Sequence, residues 1–172
     1  LFHNITWGLK GNYLEAPTDC PQRDERLGWT GDAQFFMPTA LYTAGIGAFY
    51  TKWLVDLIED GQQENGSFPH VAPDVKLGGG AVAWGDAAMI CPWLIYQFYG
   101  DTRVIEKHYD NLIRGMDFLE QTSENHIRKD LGFGDWLNLG GGAKDEVICT
   151  AYYAYLADIM SQMATLIGRK DA

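Results

Sequence analysis

What this chain has little of excludes several kinds of protein. It has three cysteines in 172 residues. Cys20, Cys91 and Cys149 lie far apart and form no CxxC pair, so neither a disulfide framework nor a structural zinc site is expected. The histidines, His3, His70, His108 and His126, are scattered and show no HExxH spacing, so no metal is expected. Basic residues are scarce: 13 Lys and Arg stand against 23 Asp and Glu, a formal net charge of -10. That balance argues against nucleic acid and against an anionic membrane surface, since both need a basic patch. No stretch approaches the ~20 apolar residues that a membrane-spanning helix requires. No secretory leader is visible, but the chain opens at Leu1 without a methionine. That is compatible with an internal piece of a longer polypeptide and leaves the compartment open.

What is present is apolar and aromatic. Hydrophobic residues make up 47% of the chain and aromatics 13%, enough for a packed core and against disorder. An acidic chain rich in Trp and Tyr suits a neutral, polyhydroxylated ligand. Such a ligand offers CH faces for stacking and hydroxyls for carboxylate acceptors.

The pattern along the chain predicts helices joined by long polar loops, and so an all-α fold in one domain. Residues 1–30 read as an irregular, turn-rich opening segment punctuated by Gly8, Gly11, Pro17, Pro21 and Gly28. A first helix is expected from Gly31, with Asp32 as N-cap and Phe35, Phe36, Thr39, Ala40 and Tyr42 at helical spacing. Pro38 falls inside it, and Gly45 and Gly47 end it. Further helices are expected at about 48–60, 82–99 and 108–122, with a short one after Asp101 and a last one at about 147–167 striped by Ala151, Tyr155, Ile159, Met163 and Leu166. The helix at 82–99 is apolar on nearly every side, which predicts burial on more than one face. The loops 61–81 and 123–146, the second with Gly140-Gly141-Gly142, are long enough to be functional. Repeated helix, loop, helix resembles an α/α toroid, although no short exact repeat occurs.

Four segments carry candidate chemistry. Thr18-Asp-Cys-Pro-Gln-Arg-Asp-Glu-Arg-Leu-Gly-Trp-Thr-Gly-Asp32 packs acids among Arg, Trp, Gly and Pro. A solvated charged loop with a helix cap would account for it. A rigid loop whose carboxylates are held by Arg would account for it too, and glycosidases need carboxyl groups so placed. Ala83-Trp84-Gly85-Asp86-Ala87 stands where a helix begins; Trp84 could be buried and Asp86 an N-cap or first-turn acid. Gly132-Phe-Gly-Asp-Trp-Leu137 places another acid and Trp on a loop. Phe68-Pro-His-Val-Ala-Pro73 is fixed by proline, and its His70 reads as structural rather than catalytic. Trp53 and Trp93 fall on helical stripes and are expected in the core.

Taken in order, Asn4-x-x-Trp7-Gly8, Gly11-Asn12-Tyr13, the acidic motif from Pro17 to Ala33, Trp84-Gly-Asp-Ala87, Pro92-Trp93, Tyr99-Gly-Asp101, Gly134-Asp-Trp136 and Thr150-Ala-Tyr152 resemble the motifs of the inverting bacterial α-L-rhamnosidases, glycoside hydrolase family 78. The resemblance spans essentially the whole chain. It implies an (α/α)6 barrel of which this chain is about the first half, because roughly twelve helices would be needed. It implies removal of terminal α-L-rhamnose with inversion, no cofactor, and Glu25 as general acid. Asp19, Asp32 and Asp135 match acids around the rhamnose hydroxyls; Trp29, Trp84 and Trp136 match the aromatic walls. The family's general base lies beyond this chain, so the remainder of the polypeptide is an implied partner and the piece alone is expected to be inactive. Two other readings stay open: a different (α/α)6 carbohydrate enzyme, such as a glucosidase or phosphorylase, or a sugar-binding module without catalysis.

Overall fold

The computed structural model describes residues 1–129, 132–140 and 142–169. Among these residues there are six helices: α1 (Phe2–Asn12), α2 (Thr30–Thr43), α3 (Gly47–Ile58), α4 (Ala87–Tyr99), α5 (Arg103–Gln121) and α6 (Asp145–Leu166). A two-residue hairpin, β1 (Ser123–Glu124) and β2 (Ile127–Arg128), pairs Ser123 with Arg128 and Glu124 with Ile127. Asn125 and His126 close it with φ of 51° and 61°, the backbone of a primed two-residue turn that matches strand twist.

Alternate helices pack on one another. α2 meets α4 and α4 meets α6, while α3 meets α5 on the other side. Two layers of helices follow, an inner α2–α4–α6, whose N-terminal ends meet at a cavity, and an outer α3–α5. α4 touches α2, α3, α5 and α6, which is why it is apolar all round: Ala87, Ala88, Met89, Ile90, Cys91, Pro92, Trp93 and Ile95 are all buried. α5 shows the opposite pattern, a single stripe of Ile105, His108, Tyr109, Leu112 and Leu119 against the core. Trp53 and Trp93 are in the core as expected, and the Trp53 indole donates to Ala72 O at 2.9 Å.

Several expectations are corrected. Residues 1–30 are not irregular throughout, because Phe2–Asn12 forms α1 despite Gly8 and Gly11. α2 starts at Thr30 with Trp29 in the N-cap position, so Asp32 is a first-turn acid and not the cap. Pro38 does lie inside α2, as expected. α4 begins at Ala87 rather than near Val82, since Ala83 takes a left-handed φ of 66° that a helix cannot contain. The two helices expected after Gly100 are one, α5; Asp101 accepts the N–H of Arg103, its first residue, at 3.1 Å. Of the Gly140-Gly141-Gly142 run, Gly141 lies outside the described residues. Phe35, Tyr42, Ala151 and Tyr155, read as stripe residues, are exposed.

Candidate active site

The inner helices open onto one cavity at their N-terminal ends. Its volume is about 780 Å³. Gly31, Asp32, Ala33, Phe35 and Phe36 reach it from the first turns of α2, Ile148 and Tyr152 from those of α6, and Ala83 and Trp84 from just before α4. α1 forms another wall. Ile5, Gly8, Leu9 and Asn12 line the cavity at a spacing of three, one and three residues, which is one helical face. The size falls within the range of small-molecule sites, and the lining mixes aromatic surface with a few convergent acids.

Backbone hydrogen bonds fix the acidic loop between α1 and α2. Asn12 O, at the end of α1, accepts from Thr18 N at 3.1 Å and from Thr18 Oγ1 at 2.9 Å. Asp19 N donates to Leu27 O at 3.1 Å. The far end is tied to the loop after α3: Ala72 N donates to Gly28 O at 2.9 Å and Thr30 N to His70 O at 3.0 Å. Gly28 is required there, since a Cβ would stand 2.2 Å from Ala72 O. His70 accepts from Ala81 N through Nε2 at 3.1 Å, which supports the structural reading of that residue.

Within this frame Arg23 bridges two carboxylates. Its Nη2 lies 3.4 Å from Asp19 Oδ2 and 2.5 Å from Glu25 Oε2. Glu25 also accepts from the Trp29 indole N–H at 2.6 Å. Asp19 is nearly buried, and its Oδ1 accepts no hydrogen bond among the described residues. Asp32 has its carboxyl pushed up, first by partial desolvation and then by the charges of Asp19 and Glu25. Asp135 is held low by the Asn138 amide at 2.6 Å and the Ala143 N–H at 3.0 Å.

The aromatic wall centres on Phe133. Its ring lies 4.7 Å from Trp84, 5.8 Å from Trp136 and 6.1 Å from Trp29, centroid to centroid. Trp84 lies directly on α2, where a Cβ on Gly31 would stand 2.7 Å from the indole. Of the seven residues expected in the site, Asp19, Asp32, Trp84, Asp135 and Trp136 line the cavity together. Glu25 and Trp29 are not in the lining. They stand beside it, Glu25 through Arg23 and Asp19, Trp29 through Phe133. Asn12, Tyr13 and Tyr152 also line the cavity, and Phe133 stands beside it against Trp84 and Trp136; none was given a role from the sequence. Only their places in short motifs pointed to them. Glu124 and Glu146 do not line the cavity; Glu124 is exposed and paired with Lys129.

Layered helical hairpins with a carboxylate- and aromatic-lined cavity at their inner ends define a class of domain suited to polyhydroxylated ligands. The chain belongs to the bacterial α-L-rhamnosidase six-hairpin glycosidase domain family, whose model matches residues 1–172. It is 49% identical over 173 residues to an α-L-rhamnosidase of Streptomyces avermitilis, covering 100% of this chain and 17% of that protein. It is 40% identical over 176 residues to one of Formosa agariphila, covering 98% of this chain and 19% of that protein. The crystal structure of the Streptomyces avermitilis α-L-rhamnosidase complexed with L-rhamnose superposes with a TM-score of 0.94 at 47% identity, over 98% of this chain and 16% of that one. The solved structure of the α-L-rhamnosidase from Dictyoglumus thermophilum does so at 0.91 and 38% identity, over 98% of this chain and 19% of that one. The chain therefore spans less than a fifth of the length of these relatives. Its all-α fold is part of the six-hairpin barrel.

Proposed function

We propose that the polypeptide carrying this chain hydrolyses terminal α-L-rhamnosides with inversion. The observation that carries this reading is the meeting of Asp19, Asp32, Asp135, Trp84 and Trp136 in one cavity, with Glu25 bridged to Asp19 by Arg23. Glu25 gives its proton to the glycosidic oxygen as the bond to the anomeric carbon breaks. Water attacks that carbon from the opposite face and loses a proton to a carboxylate supplied by polypeptide outside residues 1–172. Asp19, Asp32 and Asp135 accept from the sugar hydroxyls, and the Trp84 and Trp136 rings pack on its CH faces. Carboxylates and shape suffice for an oxocarbenium-like transition state. The full-length protein is expected to cleave an aryl α-L-rhamnoside and to release β-L-rhamnose first, followed by proton NMR before mutarotation. Release of the α anomer first would rule out inversion, and no cleavage would sink the reading.

Binding separates from chemistry at Asp32 and Trp84. Asp32→Asn in the full-length protein is expected to weaken L-rhamnose binding about 10- to 100-fold, the worth of a hydrogen bond to a charged acceptor. Trp84→Ala should cost about tenfold through lost ring contact. Calorimetric titration measures both, with circular dichroism to show that the helices persist. Unchanged affinity, or collapse of the helical signal, would leave these residues a structural role alone.

A further inference from the structure

Beneath Trp84 lies a buried ion pair that the catalytic scheme does not use. Asp86 is 2% exposed and Arg128 is fully buried. Asp86 stands in the N-cap position of α4 but makes no side-chain cap there. Its Oδ2 instead accepts from Ala83 N at 2.7 Å, and its Oδ1 lies 3.8 Å from Arg128 Nη1. Arg128 Nη2 donates to Gly80 O at 2.6 Å. The turn between these anchors is strained. Ala83 has a φ of 66°, the left-handed backbone that a residue with a Cβ rarely adopts. Both polar groups of Ala83 are held: the N–H by Asp86, the carbonyl by the Gln34 amide at 2.9 Å. The next residue is Trp84.

As a source of stability the pair is poor. Desolvating two charges offsets most of their attraction, and apolar replacements of equal volume often do as well. Burial pushes the Asp86 carboxyl up to about 6, against the opposing pull of Arg128 and of the Ala83 N–H. Arg128 Nε and Nη1 make no hydrogen bond among the described residues. What the pair does achieve is placement. Arg128 ends β2, at the start of the segment that carries Phe133, Asp135 and Trp136, and its backbone N–H is fixed to Thr150 Oγ1 of α6 at 3.2 Å. One guanidinium therefore ties the turn before α4 to the root of the loop that faces it.

We propose that Asp86 and Arg128 are positioning residues for the sugar cavity: together they hold the Ala83 turn that sets Trp84, and dock it against the loop carrying Asp135 and Trp136. The ligand in this inference rests on the rhamnosidase reading; the latch itself does not. The test is kcat/KM of the full-length protein on an aryl α-L-rhamnoside, for Asp86→Asn alone and in a Trp84→Ala background. Asparagine keeps an acceptor for Ala83 N–H and removes the charge. A loss of up to about tenfold is expected, mainly through KM, because misplacing a binding wall costs no more than removing it. In the Trp84→Ala background the same change should add little, since its effect passes through the missing ring. No loss, or an equal loss in both backgrounds, overturns the proposal. If Asp86→Asn does not fold, Arg128→Lys decides. Lysine keeps the charge but loses the planar fork; a loss of the same order supports the latch and wild-type kcat/KM overturns it. If the wild type cleaves no rhamnoside, the functional reading fails, and the latch is judged on near-ultraviolet circular dichroism. The wild-type minus Trp84→Ala difference spectrum should then collapse when Asp86→Asn is introduced into both; an unchanged difference overturns the latch.

Discussion

Replacing Glu25 with glutamine in the full-length protein is expected to lower turnover of natural rhamnosides by about 10²- to 10⁴-fold, the contribution of a general acid. Glutamine matches the shape, and its carbonyl oxygen can still accept from the Trp29 indole that now donates to Glu25 at 2.6 Å. Arg23 loses one carboxylate but keeps Asp19. The loop should therefore stay in place while the transferable proton is lost. Aryl rhamnosides with good leaving groups need little protonation, so on them the loss should be much smaller. That split is the diagnostic measurement. Equal losses on both substrate types would remove Glu25 from the acid role and point to Asp19 or Asp32, the cavity-lining acids nearest to it by charge and contact. Near wild-type turnover on both would sink the assignment of the whole acidic loop.

Much of this architecture could be read from periodicity. α3, α5 and α6 are long, their burial repeats every three to four residues, and their bounds fall within a few residues of expectation, except that α5 begins earlier. α1 was illegible for a physical reason. Its inward face looks onto a cavity rather than a core, so Gly8 and Asn12 occupy positions where a packed helix would carry Leu or Ile, and glycine reads as a breaker. The site divides in the same way. Acids and tryptophans clustered in short motifs announced themselves by residue type. Phe133 did not, because a phenylalanine on a loop carries no chemistry until its neighbours are known; here they are Trp29, His70, Trp84 and Trp136. Arg128 was invisible because nothing local distinguishes a buried arginine from a solvated one. Its partners, Gly80 and Asp86, lie more than 40 residues away in sequence. Asp86 was seen at the right place, but local rules could supply only the bland role of a cap.

Residues 1–172 expressed by themselves are expected to show no measurable turnover of an aryl rhamnoside and to self-associate on size-exclusion chromatography. Inversion needs two carboxyl groups about 6.5–9.5 Å apart, with room for water between the base and the anomeric carbon. Asp19, Asp32 and Asp135 are proposed to bind hydroxyls, and Glu124 and Glu146 lie outside the cavity lining, so in the proposed scheme residues 1–172 supply the acid without its partner. The apolar surface points the same way. Phe35 and Tyr42, two turns apart on α2, are 66% and 83% exposed, and Val147 and Tyr155, at similar spacing on α6, are exposed as well. On α1, Phe2 and Trp7 add to them. In a chain spanning less than a fifth of its relatives' length, such faces are the places where further hairpins of the barrel would pack. Left uncovered, patches of this kind favour association. Activity should return in the full-length protein, where these faces are covered. A well-behaved monomer of residues 1–172 that turns over substrate would place the base within this chain, and Glu146 and Glu124 would be the first residues to replace.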